Sequence, residues 1–148
     1  VGGGLFHPKG ILLITKKPVI VADPYLNSAT SLEGLREKLI KKRNAAMAML
    51  TEAKNVGIIV GLRLGQTNLQ LAEALQEKLE SMGKHTIVLC LREIIPETLS
   101  NFPNIEVFVN TACPRIGLDD PERYGKPIVT AKEAFGIIEN PAGSRNDG

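Results

Sequence analysis

The sequence predicts an α/β fold: a three-layer domain on a mostly parallel, four-stranded sheet, preceded by the last helix–strand segment of a neighbouring, similar domain. Three observations predict it. Short β-branched apolar runs recur along the chain, amphipathic helical stretches lie between them, and Gly, Pro, Asn and Asp mark the joins. Strands that alternate with helices build βαβ units, which pack helices on both faces of a parallel sheet.

The strands are Val56–Val60, Thr86–Leu91, Ile105–Val109 and the shorter Pro127–Val129. Their near-continuous apolarity suits strands covered on both faces. The first helix runs over about 31–53, with Leu32, Leu35, Leu39, Ala46, Leu50 and Ala53 on one apolar stripe. Thr30 and Glu33 have the spacing of a capping box, in which side chains satisfy the free backbone donors of the first turn. Lys38, Lys41, Lys42 and Arg43 read as a solvated helix face, with a docking patch as the alternative. A second helix covers about 68–82, with Thr67 and Gln70 as its capping box and Gly83 as its left-handed terminator. A helical turn at Pro96–Leu99 and a last helix at Ala131–Ile138 follow. Ahead of this repeat, Phe6–Thr15 reads as a helix and Val19–Ala22 as a strand. The domain boundaries are accordingly 1–27 for the end of a preceding domain and its crossover, 28–139 for a Rossmann-like domain, and 140–148 for a flexible tail.

Composition narrows the classes. With 148 residues, 43% hydrophobic and 23% charged, the chain can bury one core. A net charge of +2 gives no electrostatic basis for nucleic-acid binding. No apolar run reaches the roughly 20 residues of a membrane helix. The two cysteines, Cys90 and Cys113, are too few for a disulfide framework, which suits a cytoplasmic protein with reduced thiols. The opening Val1-Gly2-Gly3-Gly4 has no basic segment before a hydrophobic stretch, so it is not a signal peptide and reads as the interior of a longer chain.

In an open parallel sheet, ligands gather at the carboxyl ends of the strands. The loop Gly61–Gln66 leaves the first strand there and feeds a helix N-terminus, where free N–H groups favour an anion. Arg63 and Gln66 are candidate donors; a plain strand–helix connection is the alternative. The loop matches neither GxGxxG nor a P-loop. Asn110-Thr111-Ala112-Cys113-Pro114-Arg115-Ile116 leaves the third strand at the same edge. Cys113 sits among polar and turn-forming residues, with Arg115 near enough in sequence to favour its thiolate, whereas Cys90 in its apolar run reads as a buried hydrophobe. A single thiolate cannot hold an iron–sulfur cluster, and His7 and His85 lack partners at zinc-ligand spacing, so whatever Cys113 binds draws further ligands from outside the chain. Asp119-Asp120 reads as a helix start or turn rather than an acid–base pair or magnesium site. Gly2-Gly3-Gly4-Leu5-Phe6-His7-Pro8 lets backbone approach a ligand closely, which makes His7 either a contact or a structural histidine.

These blocks, together with Lys17-Pro18-Val19, Asp23-Pro24-Tyr25 and Tyr124-Gly125-Lys126-Pro127, resemble the C-terminal portion of the diphthamide-synthesis radical enzymes, above all the archaeal, homodimeric branch. The resemblance extends to about Phe135, and the block from Asn110 to Ile116 is its most specific part. It implies three similar domains per protomer, each giving one cysteine to a shared 4Fe–4S cluster, with Cys113 as the third ligand. It further implies that S-adenosylmethionine binds the cluster's open iron and is cleaved reductively to a 3-amino-3-carboxypropyl radical. That radical adds to the imidazole C2 of a histidine in translation elongation factor 2. Partners implied are that factor, a second copy of the chain and an electron donor. The resemblance also implies that the loop ending at Gln66, with Arg63, would lie near the cofactor's amino-acid end, and that Gly4, Phe6 and His7 would come from the neighbouring domain's facing edge. The other two cysteines are absent from this chain, so alone it is expected to be inactive. Rival readings are an iron-free nucleotide- or sugar-nucleotide-binding lobe, a thiol enzyme with Cys113 as nucleophile, and an inert scaffold.

Overall fold

The computed structural model describes residues 15–17, 20–23, 28–63, 67–112, 116 and 121–140. The chain divides into two units, Val1–Asn44 and Ala45–Gly148.

In the first unit, β1 (Ile20–Asp23) pairs antiparallel with β2 (Ser28–Ser31), with Ile20 opposite Ser31 and Asp23 opposite Ser28. The strand expected near Val19–Ala22 is therefore present, and its partner was not anticipated, because Ser-Ala-Thr-Ser has no apolar alternation. Thr30 lies in β2, so it does not cap the helix α1 (Glu33–Glu52). Leu32 supplies the first helical carbonyl, accepting from Arg36 N–H at 2.9 Å. Glu33 instead pairs with Arg36 at 3.1 Å, and the Arg36 guanidinium also donates to the Lys17 carbonyl.

The apolar stripe of α1 is as expected, except that Leu35 is half-buried. Lys38, Lys41 and Lys42 are exposed, but Arg43 is buried. It stands four residues after Leu39 and three before Ala46, so the 3.6-residue period puts it on the stripe rather than on the solvated face.

The second unit is the three-layer domain. Its strands are β3 (Asn55–Gly61), β4 (His85–Leu91), β5 (Val107–Asn110) and β6 (Ile128–Thr130), all parallel, in the order β4-β3-β5-β6. Helices α2 (Leu69–Ser81), α3 (Pro96–Ser100) and α4 (Ala131–Glu139) connect or follow them. Alternate strand residues build two cores. Val56, Ile58, Val60, Val107, Val109 and Val129 pack against Leu50 of α1, Leu75 and Leu79 of α2, and Ile137 of α4. Ile59, Leu89, Phe108 and Ile128 pack on the opposite face against Leu99 of α3 and Ile105. On that face Gly57 makes room for Phe108: a Cβ there would lie 2.8 Å from the ring's Cδ1.

Strand β4 departs from the expectation of two covered faces. It is an edge strand, paired on one side only, and the five-residue α3 packs on the face of Leu89, opposite that of Cys90. Ile87 is 42% exposed, and Cys90, expected to be a buried hydrophobe, is exposed. Apolarity along a run reports the pleat, not how far the covering layer reaches.

Polar side chains set the joints. Glu106 Oε2 accepts from the N–H groups of Lys54 and Asn55, both at 2.8 Å, at the start of β3. Those two donors hold its carboxyl below the ordinary value of 4.5. Lys84 is buried and donates to the carbonyls of Thr51 and Ala53 at the end of α1, at 2.9 and 2.7 Å. Burial lowers its pKa from 10.5, opposed by the charge of Glu106. Lys126 donates to the carbonyls of Phe102, Pro103 and Ile105, tying the loop before β5 to the approach of β6. Among the described residues, no helix is long and apolar enough to cross a membrane.

Candidate functional site at the carboxyl edge of the sheet

The strand order decides where a ligand site can form. From β3 the chain crosses to β4 on one side, while β5 pairs with β3 on the other. The connections from β3 and β5 thus depart from adjacent strand ends, about 4.8 Å apart. Such a switch point leaves a crevice between loops that turn away in opposite directions.

The loop from β3 is fastened at both ends. Leu62 N–H donates to the Leu91 carbonyl at 2.9 Å, extending the ladder one residue beyond the strand. Thr67 Oγ1 donates to the Gly61 carbonyl at 2.9 Å. That contact replaces the capping role expected of Thr67. The N-cap of α2 is Asn68, whose Oδ1 accepts from Leu71 N–H at 3.1 Å. Asn68 is one residue nearer the helix, and its short amide reaches the third helical N–H without strain. The N–H groups of Leu69 and Gln70, in the first turn, have no intrahelical acceptor and point out of the helix end. At the other end of α2, Gly83 (φ +83°) and Lys84 close the helix: Gly83 N–H donates to Glu80 and Lys84 N–H to Leu79.

The loop from β5 is fastened more tightly. Thr111 donates twice to the Ile59 carbonyl, from its N–H at 3.0 Å and from Oγ1 at 2.7 Å. Asn110 Oδ1 accepts from Ala112 N–H at 2.9 Å, forming an Asx turn. Asn110 Nδ2 lies 3.5 Å from the Ile116 carbonyl, a long contact. Both Asn110 and Thr111 are buried. Ile116 and Tyr124 pack on the second core, and Tyr124 Oη donates to the Ile94 carbonyl at 3.3 Å. The 3-10 turn Pro121–Tyr124 comes directly after Asp119-Asp120 in sequence.

Of the residues singled out from sequence, Arg63 is described and exposed in the loop from β3. Gln66 and Cys113 lie outside the described residues, as do Gly4, Phe6, His7, Asp119 and Asp120. Adjacency of β3 and β5 brings the stems of the Arg63 loop and the Cys113 loop together. Asn110 and Thr111 are not among the residues singled out, and Thr67, expected as a cap, holds the loop from β3 instead. The readable signal was an Asn–Thr pair closing an otherwise apolar strand, where Asx and hydroxyl turns are favoured.

The sequence model of the diphthamide synthesis protein family matches residues 1–146. The chain belongs to this family. It is 35% identical over 133 residues to the 2-(3-amino-3-carboxypropyl)histidine synthase of Pyrococcus horikoshii, covering 90% of this chain and 38% of that protein. It is 33% identical to subunit 1 of the Kluyveromyces lactis synthase (95% of this chain, 33% of the relative). To human subunit 1 it is 30% identical (90% and 31%). The chain thus spans about a third of the length of these relatives. The crystal structure of Dph2 from Pyrococcus horikoshii with a 4Fe–4S cluster superposes with a TM-score of 0.78 at 33% identity, covering 93% of this chain and 39% of that one. These relatives are diphthamide-pathway transferases, and the fold of this chain is theirs.

A 4Fe–4S cluster normally takes three or four thiolates. The loop from β5 carries one cysteine, Cys113, and the described residues hold no group of three or more His, Cys, Asp or Glu arranged for a metal. One cysteine in that loop can give a cluster one thiolate at most.

Proposed function

We propose that this chain is the C-terminal part of an enzyme catalysing the first step of diphthamide biosynthesis. The reaction moves the 3-amino-3-carboxypropyl group from S-adenosylmethionine to a histidine of translation elongation factor 2. The observation that carries the proposal is the switch point: adjacent parallel strands β3 and β5 send out the two loops bearing Arg63 with Gln66 and Cys113. Family membership supplies the chemical context.

In this reading Cys113 gives one thiolate to a 4Fe–4S cluster, and cysteines beyond this chain give the others. When bound, the cluster supplies the electron that opens a sulfonium C–S bond of S-adenosylmethionine. The residues of this chain hold and orient. The N–H groups of Leu69 and Gln70 and the Arg63 guanidinium attract the carboxylate of the cofactor's amino-acid end, with the Gln66 amide as a further donor. Gly4, Phe6 and His7 are further contacts to the cofactor in this reading, as the family resemblance implies. The working unit is a cytoplasmic homodimer served by an external electron donor, with no role for nucleic acid or membrane.

The test is transfer. The protein carrying this chain with the family's remaining domains is incubated without oxygen with reductant, S-adenosylmethionine labelled in the aminocarboxypropyl group, and elongation factor 2. Label on a histidine of the factor is expected, and loss of that label in Cys113→Ser. An unlabelled factor, with tight binding of a nucleotide instead, supports an iron-free nucleotide-binding lobe.

A further inference from the structure

We infer that Asn110 and Thr111 are positioning residues for Cys113, holding both shoulders of its loop against β3 and the second core. The inference rests on the reading of Cys113 as a cluster ligand.

The end of β5 breaks the pattern of its strand. Val107, Phe108 and Val109 are apolar and wholly buried, and the next two buried positions are Asn110, 3% exposed, and Thr111, 8% exposed. Valine or isoleucine would serve a parallel strand better, because a buried polar side chain costs stability unless it is hydrogen-bonded. Both residues are bonded, Thr111 to the neighbouring strand β3 and Asn110 to its own loop. The sheet ladder needs only the Thr111 N–H on the Ile59 carbonyl. The hydroxyl occupies that oxygen a second time, at 2.7 Å, and fixes the Thr111 side chain as well as its backbone.

Asn110 then works on the far side of Thr111. Its Oδ1 holds the N–H of Ala112, the residue immediately before Cys113, and its Nδ2 reaches toward the carbonyl of Ile116, three residues after it. One amide side chain brackets the segment in which Cys113 stands. The matching bolt on the neighbouring loop, Thr67 Oγ1 on the Gly61 carbonyl, uses the same strand. The two loop stems at the switch point are therefore referred to one strand, β3, by two threonine side chains, Thr111 and Thr67.

A cluster shared by several domains needs each thiolate held in place before the others arrive, and groups that orient a ligand change metal affinity about 10- to 100-fold. A merely structural role for these side chains would show in unfolding and not in the cluster.

The test uses the protein with all of its domains, reconstituted without oxygen, as parent, Thr111→Val, Thr111→Ser, Asn110→Ala and Cys113→Ser. Iron release to a chelator and the electron paramagnetic resonance spectrum of the reduced cluster are recorded, with far-UV circular dichroism as the folding control. Thr111→Val and Asn110→Ala are expected to keep the parent's dichroism, release iron about tenfold faster or more, and broaden the spectrum. Thr111→Ser, which keeps the hydroxyl, is expected to match the parent. In the metal-free protein, Asn110→Ala should speed hydrogen exchange at the Ala112 amide up to about tenfold, the loss of one hydrogen bond. Parent-like iron release and spectra from both variants, with the cluster lost in Cys113→Ser, overturn the positioning role and leave the ligand reading standing. A parent-like cluster in Cys113→Ser overturns both. If Asn110→Ala loses its dichroism, Thr111→Val decides alone, and parent-like behaviour there overturns the inference.

Discussion

Single side chains in this domain are chosen by what stands one strand away. Gly57 is the sharpest case, since Phe108 and Ile105 occupy the space a Cβ would take. The Gly57→Ala variant should lose about 1–3 kcal/mol, an overpacking cost, as measured by its urea unfolding midpoint. Nothing in the run Val56–Val60 announces that partner, because strand pairing is not written in either strand. Glu106 makes a similar long-range bond, joining the entry of β3 from 52 residues away. Its folded pKa is depressed below 4.5, so the stability it adds is fully present above that pH and is lost as pH falls through the lower folded value. In Glu106→Gln that part of the acid limb should flatten, which a stability-versus-pH series reads directly; an unchanged acid limb would contradict the assignment. Cys90 and Arg43 were misread for a related reason. Composition around a residue says whether it suits burial, and only the covering layer and the helix phase say whether it is buried.

At the scale of elements, periodicity was legible and caps were only partly so. All four strands of the sheet and all four described helices stand within a few residues of their expected bounds, because β-branched runs and i, i+3, i+4 stripes are dense local signals. The Gly83 terminator was readable because a left-handed residue is needed there and glycine adopts it freely. The two expected capping boxes failed, since Thr30 was drawn into β2 and Thr67 into the loop from β3. The box that forms is at α4, where Thr130 Oγ1 accepts from Glu133 N–H and Glu133 Oε1 accepts from Thr130 N–H. A Ser/Thr–x–x–Glu spacing only offers the box; whether the hydroxyl has a better carbonyl elsewhere decides it. The Thr130→Ala variant should cost about 1 kcal/mol in thermal or urea unfolding. It should leave any bound cluster's spectrum as in the parent, because β6 lies beyond β5 from the switch point.

For the whole molecule, the decisive feature is strand order, which pattern alone could not give. Four parallel strands admit several orders, and the observed one, β4-β3-β5-β6, sets the ends of β3 and β5 side by side. The candidate residues are legible as loop chemistry, and the resemblance gives Cys113 its meaning, but the adjacency of the strands from which the Arg63 and Cys113 loops depart comes from the fold. Asn110 and Thr111 were hidden in plain view inside the motif that carried the cysteine. The central claim is that Cys113 ligates iron. The direct measurement is iron and sulfide content with the visible spectrum of the protein containing all its domains, reconstituted without oxygen, as parent and Cys113→Ser. The account predicts about four irons per protomer and broad thiolate-to-iron absorption in the parent, with most of both lost in the variant. A parent that takes up no iron, or a variant that holds it equally well, would contradict it.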